Sequence, residues 1–78
     1  MQLTILTPEK QIFEGVVTSL TVPGSAGSFQ ILHDHAPIIS TLTSGKVVYT
    51  QEAQNKELDI EQGIIAVHTN QVTLLVET

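Results

Sequence analysis

The stretch "KELDIEQGIIAV", Lys56 to Val67, decides how the chain folds. In its first half Leu58 and Ile60 interleave with Glu57, Asp59 and Glu61, the period-two pattern of a half-buried strand. In its second half Gly63-Ile64-Ile65-Ala66-Val67 is apolar on both faces, which predicts a central strand or one covered by a partner. Between them Gln62-Gly63 reads as a turn signal.

The same alternation extends outward in both directions. Leu3 and Ile5 alternate with Gln2 and Thr4, and Val72, Leu74 and Val76 repeat the pattern near the end. Val16, Thr18, Leu20 and Val22 fall on one face of a run, with Val17, Ser19 and Thr21 on the other. Pro8, Gly15, Pro23-Gly24, Ser44-Gly45, Gln54-Asn55 and Thr69-Asn70 punctuate the runs. Only Pro8 to Phe13 can hold a turn of helix, with Thr7 as its cap. The prediction is an all-β fold spanning residues 1–78 as one domain. It takes the form of a small sandwich or flattened barrel of about ten short, mostly antiparallel strands.

Composition narrows the function classes. With 78 residues the chain sits near the low end of what one core stabilises, and with no cysteine it has neither disulfide nor thiolate chemistry. Three lysines and no arginine face eight carboxylates, a formal charge of -5. Phosphate neutralisation drives nucleic-acid binding, so this balance argues against it, and against an anionic membrane surface. One Tyr, two Phe and no Trp leave little to stack on bases. A mean hydropathy of +0.19 is that of globular material. No stretch reaches the roughly 20 apolar residues of a bilayer span, and Met1-Gln2-Leu3-Thr4 lacks the basic start of a signal peptide. The expectation is a soluble protein retained on the side where it is made.

"GSFQILHDHAPIIS", Gly27 to Ser40, holds the residues that invite a chemical reading. His33 and His35, two apart on a strand, point the same way and could share an ion, but a third ligand would have to come from His68 or a distant carboxylate. The expectation is no metal. A serine–histidine–aspartate set can be chosen from Ser25, Ser28, His35 and Asp59, yet no nucleophile elbow accompanies it. Ser44-Gly45-Lys46 lacks the spaced glycines of a phosphate loop. The expectation is no catalytic residue and no bound cofactor. Lys46 raises an alternative, a small all-β binding or carrier module of lipoyl or biotinyl type. However, the acidic residue or methionines that flank the modified lysine in such modules are missing here. Shape explains the stretch better. Pro37 removes a donor and pushes Ala36 into extended backbone, while Gly24 and Gly27 bracket a tight tip at Ser25-Ala26.

Hairpin tip, strand and proline corner, in that order, resemble one family: the N-terminal β-sandwich domain of the F-type ATP synthase epsilon subunit. The family's Gly-x-(aromatic or Leu)-x-Ile…His-Ala-Pro pattern reads here as Gly27-Ser28-Phe29-Gln30-Ile31-Leu32-His33-Asp34-His35-Ala36-Pro37. Thr7-Pro8-Glu9-Lys10-Gln11-Ile12-Phe13-Glu14-Gly15-Val16-Val17 is similar to its front. Gly45-Lys46-Val47, Gly63-Ile64-Ile65-Ala66-Val67 and Asn70-Gln71-Val72-Thr73-Leu74-Leu75 are similar to its later strands. Where relatives often carry Pro-Gly, this chain has His33-Asp34, and Ser28 stands where a carboxylate is common.

The resemblance implies a non-catalytic rotor part of the central stalk. Such a part links the gamma subunit to the c-ring for proton- or sodium-driven ATP synthesis, on the cytoplasmic face of the bacterial inner membrane. By the resemblance, Ser25, Ala26, Gly27, Ser28, Phe29 and Gln30 should meet the c-ring. His35, Ala36, Pro37, Thr41 and Leu42 should lie against gamma. Phe29 is either an exposed anchor there or a core residue. Many relatives continue into two C-terminal helices that inhibit ATP hydrolysis or bind ATP. This sequence stops at Val76-Glu77-Thr78, where the sandwich pattern ends. Either the subunit is naturally short or residues beyond Thr78 have been removed; if short, helix-based inhibition and ATP sensing have no residues to act through.

Overall fold

The computed structural model describes residues 1–34 and 36–78. Among the described residues nine strands follow in chain order: β1 (Gln2–Leu6), β2 (Gln11–Val16), β3 (Ser19–Gly24), β4 (Gly27–Ile31), β5 (Ile38–Leu42), β6 (Gly45–Gln51), β7 (Gln54–Ile60), β8 (Gln62–His68) and β9 (Gln71–Glu77). They hydrogen-bond in the order β2-β1-β9-β8-β5-β3-β6-β7, with β4 paired to β3 beside that path. Among the described pairings only β1 with β9 is parallel.

The sheet doubles over at one weak point. β5 meets β3 through a single register pair, Gly24 with Leu42. On one side lie β2, β1, β9, β8 and β5, and on the other β4, β3, β6 and β7. Leu3, Ile5, Ile65, Leu74 and Val76 from the first layer join Leu20, Val22, Ile31, Val47 and Tyr49 from the second in one buried cluster. That facing arrangement is the sandwich, and each layer's alternation supplies its inner half.

β8 is central, between β9 and β5, as its two apolar faces predict. Two local expectations are corrected. Pro8 to Phe13 holds no helical turn. Thr7 and Lys10 close the β1–β2 connection instead: Thr7 N–H donates to Lys10 O at 2.8 Å and Thr7 Oγ1 accepts from Lys10 N–H at 3.1 Å. β2 then pairs along β1, so sheet pairing takes the segment that a cap alone would have made helical. The second correction concerns the run through Val16 and Leu20. It is broken at Val17-Thr18, where Val17 N–H bonds Met1 O and Thr18 N–H bonds Thr50 O. The chain changes partner strand there, so the inward parity shifts by one. Val16 is 64% exposed while Val17 is buried with Leu20 and Val22.

Among the described residues no helix is long and apolar enough to cross a membrane.

Candidate functional site

β3 and β4 form the hairpin that presents the first candidate surface. Gly24 opposes Gly27 in register and Ser25-Ala26 turn the chain. Gly27 has φ +132, a backbone conformation that favours glycine, and its missing side chain faces open space. Ser25, Ala26, Ser28 and Gln30 are exposed. Phe29 is not: it is half-buried on the inward face opposite Val22 and packs against the core cluster. Its ring lies so close over Gly24 that a Cβ there would sit 2.6 Å from a ring carbon. Glycine at 24 is therefore what lets the ring lie against the hairpin backbone while it packs on the core.

The second candidate surface is less uniform. Ala36, Pro37 and Thr41 are exposed, whereas Leu42 is 3% exposed and belongs to the core. Leu42 reaches the outside only as part of a groove wall. His35, expected beside them, lies outside the described residues. The two surfaces touch. Ser25 N–H donates to Thr41 O at 3.1 Å, and Thr41 Oγ1 donates to Ser25 Oγ at 3.0 Å.

Sequence reasoning missed the surface between them. The outward face of β1-β9-β8-β5 carries Ile39 (81% exposed), Ile64 (48%) and Leu75 (47%). Register places them together: Thr41, Ile64, Leu75 and Leu6 form one row across the four strands. Ile39, Ala66, Thr73 and Thr4 form the next. A groove of about 490 Å³ opens at one end of this face, where β5 and β9 finish and β8 begins, lined by Pro8, Ser25, Thr41, Ile64, Leu75 and Glu77 among others. Its lining mixes apolar Pro8, Ile64 and Leu75 with the hydroxyls of Ser25 and Thr41, the Gln62 amide and the Glu77 carboxylate. The signal was in the sequence as the doubly apolar run Gly63–Val67, but alternation alone does not say which face stays bare.

Of the "HDH" stretch, the described residues His33 and Asp34 have structural employment. Asp34 N–H donates to Asn70 Oδ1 at 2.8 Å, and Asn70 Nδ2 donates back to Asp34 Oδ1 at 2.9 Å. The other Asp34 oxygen lies 3.0 Å from His33 Nδ1. His68 contacts Thr69 Oγ1 through Nδ1 at 3.2 Å. Among the described residues no three His, Cys, Asp or Glu side chains converge as a metal site would require.

Lys46, the carrier candidate, is not at a hairpin tip. It stands on β6 opposite Asp59 of β7 and forms ion pairs with Asp59 at 3.1 Å and Glu57 at 3.5 Å. The Asp59 hydrogen bond and charge, then the Glu57 charge, hold its ammonium above the usual lysine range. A lysine so engaged on a strand is a cross-strand partner, the sheet counterpart of a helix i,i+4 pair.

Two facing layers around one core, with Ile39, Ile64 and Leu75 exposed on one outward face, define a β-sandwich domain. The family model described as "ATP synthase, Delta/Epsilon chain, beta-sandwich domain" matches residues 1–78. The chain belongs to that family. It is 38% identical over 77 residues to the ATP synthase epsilon chain of Leptospira borgpetersenii, covering 99% of this chain and 61% of that protein. To the epsilon chain of Chlorobium limicola it is 42% identical over 77 residues, covering 97% and 88%. The chain thus spans about three fifths of the first of these relatives and most of the second. Its fold matches a chain in the cryo-EM structure of the Tetrahymena thermophila mitochondrial ATP synthase central stalk and c-ring. There the TM-score is 0.83 at 20% identity, covering 100% of this chain and 63% of that one.

Proposed function

We propose that the chain acts as a non-catalytic rotor element of an F-type ATP synthase, holding the gamma subunit to the c-ring on the cytoplasmic face of a bacterial membrane. Family membership and the central-stalk origin of the fold relative support the setting. The single observation that carries the docking role is the bare apolar face of Ile39, Ile64 and Leu75. Water-facing apolar groups in adjacent register rows on a small domain mark a surface meant to be covered.

In this reading gamma lies over the β1-β9-β8-β5 face, with Ala36, Pro37 and Thr41 at its border. The hairpin tip, Ser25 to Gln30, meets the polar loops of the c-ring. The mechanical logic follows from the sheet. Torque passing between the two partners must cross the domain, and paired strands resist shear through many backbone hydrogen bonds at once. The Ser25–Thr41 contacts tie the tip directly to the docking face, so load need not travel around the sandwich.

Ile64→Glu tests the reading. Placing a carboxylate on an already half-exposed outward position leaves the fold intact. Binding to gamma should fall at least tenfold, since an unpaired charge would be buried at the joint. Unchanged affinity for gamma would refute the assignment of this face.

A further inference from the structure

The loop leaving β4 must carry the chain from the second layer to β5 in the first. Leu32, His33 and Asp34 lie on that path, just ahead of Ala36 and Pro37. Asp34 takes a left-handed backbone, φ 63, as does Asn70 in the β8–β9 turn, φ 59. Left-handed backbone is uncommon outside glycine, and Asp and Asn are the residues that tolerate it best. Two such positions, 36 residues apart in sequence, meet through two reciprocal hydrogen bonds of 2.8 and 2.9 Å. The Asp34 backbone N–H and one carboxylate oxygen are both satisfied by a single side-chain amide. The carboxylate's other oxygen is steadied by His33. The joint ties an exposed loop to the two-residue β8–β9 turn.

We propose that Asp34 and Asn70 form a latch that holds the approach to Ala36-Pro37 in the shape its partner binds. Both act as positioning residues and not as contacts. This inference rests on reading Ala36 and Pro37 as the border of the gamma surface. Physically, a loop ordered before binding does not lose conformational freedom on binding, so its affinity is higher than that of a loose one. Aspartate and asparagine are placed here because each suits left-handed backbone and their side chains complement each other in donors and acceptors.

Glycine is the informative replacement, because it keeps the left-handed backbone at either position while deleting the side chain. Asn70→Gly and Asp34→Gly should each weaken gamma binding about three- to tenfold, a size expected for losing one ordered segment. The double variant should be no worse than either single, because both break one latch. Asp34→Asn keeps its N–H and an acceptor oxygen toward Asn70, so it should bind within about twofold of the wild type. Amide exchange at residue 34 should speed up in Asn70→Gly and stay slow in Asp34→Asn. Glycine variants that bind gamma like the wild type, additive single effects, or an Asp34→Asn variant as weak as Asp34→Gly would each overturn the latch. Ile39→Glu serves as the companion measurement. If it binds gamma normally, the assignment of the surface fails and the inference fails with it. If it abolishes binding while the glycine variants remain tight, the latch alone is wrong.

Discussion

Thr41 and Ser25 grip each other twice: a hydroxyl-to-hydroxyl bond of 3.0 Å and a Ser25 N–H to Thr41 carbonyl bond of 3.1 Å. They belong to β5 and to the β3–β4 tip, the two sides of the sandwich's narrowest seam. Thr41→Val keeps the shape and the backbone bond but deletes the hydroxyl. It should lower stability by about 0.5–1 kcal/mol, the net worth of one solvent-exposed hydrogen bond. Urea denaturation of the two proteins measures it. A larger loss would mean that the seam depends on that hydroxyl far more than its exposure allows.

Phe29 belongs to the core edge, so Phe29→Ala should destabilise the domain itself by about 2–4 kcal/mol. Thermal melting decides between the two roles set out from sequence. A variant with a wild-type melting temperature but poor assembly would make Phe29 an interface anchor instead.

The β6–β7 hairpin turns on Glu52 and Ala53, at φ 52 and 64. Both are left-handed, the type I′ pattern that Asn-Gly satisfies with least strain. Replacing the pair by Asn-Gly should raise stability by about 1–2 kcal/mol, since each of the two ordinary residues there is strained by at least about 1 kcal/mol and asparagine relieves only part of it. The comparison is a shift in denaturation midpoint with an unchanged slope.

Alkaline pH should weaken the fold through two groups. Burial raises the Tyr49 hydroxyl above its ordinary 10.0. Asp59 first and Glu57 second raise the Lys46 ammonium above its ordinary 10.5. In each case the folded chain keeps a proton that the unfolded chain has released. Stability present below those ordinary values is therefore lost as pH rises through the folded ones. Tyr49→Phe removes one of the two contributions. Its stability should fall less than the wild type's between about pH 9 and about pH 11. Equal slopes would remove Tyr49 from the account.

The strands were legible wherever inward and outward residues strictly alternate. Leu3 and Ile5, Leu58 and Ile60, and Val72 to Val76 were read directly, because one buried face imposes period two. The failures fall where the chain changes partner. Nothing local distinguishes Val16 from Val17, since which one turns inward depends on Met1 and Thr50, both distant in sequence. The turn at Glu52-Ala53 carried no glycine or asparagine to announce it, so Gln54-Asn55 drew the turn reading although both residues are in β7. At the candidate surfaces, the tight tip between Gly24 and Gly27 was readable from glycine spacing. The Asp34–Asn70 joint was not, because a hydrogen bond between positions 36 residues apart leaves no periodic trace. Leu42 looked available beside Thr41, but adjacent strand residues point to opposite faces, and its face is the inner one.

The parallel pairing of β1 with β9, from Gln2 beside Gln71 to Leu6 beside Leu75, has a consequence for biosynthesis. β1 waits for β9, nearly seventy residues later in the chain, before its free side is hydrogen-bonded. Closure across nearly seventy residues loses much chain entropy before contacts compensate, so folding should be slow and completed only after Glu77 emerges. Until then β1 and its hairpin mate β2 offer an open ribbon edge, and nascent chains in that state are the ones most in need of a chaperone.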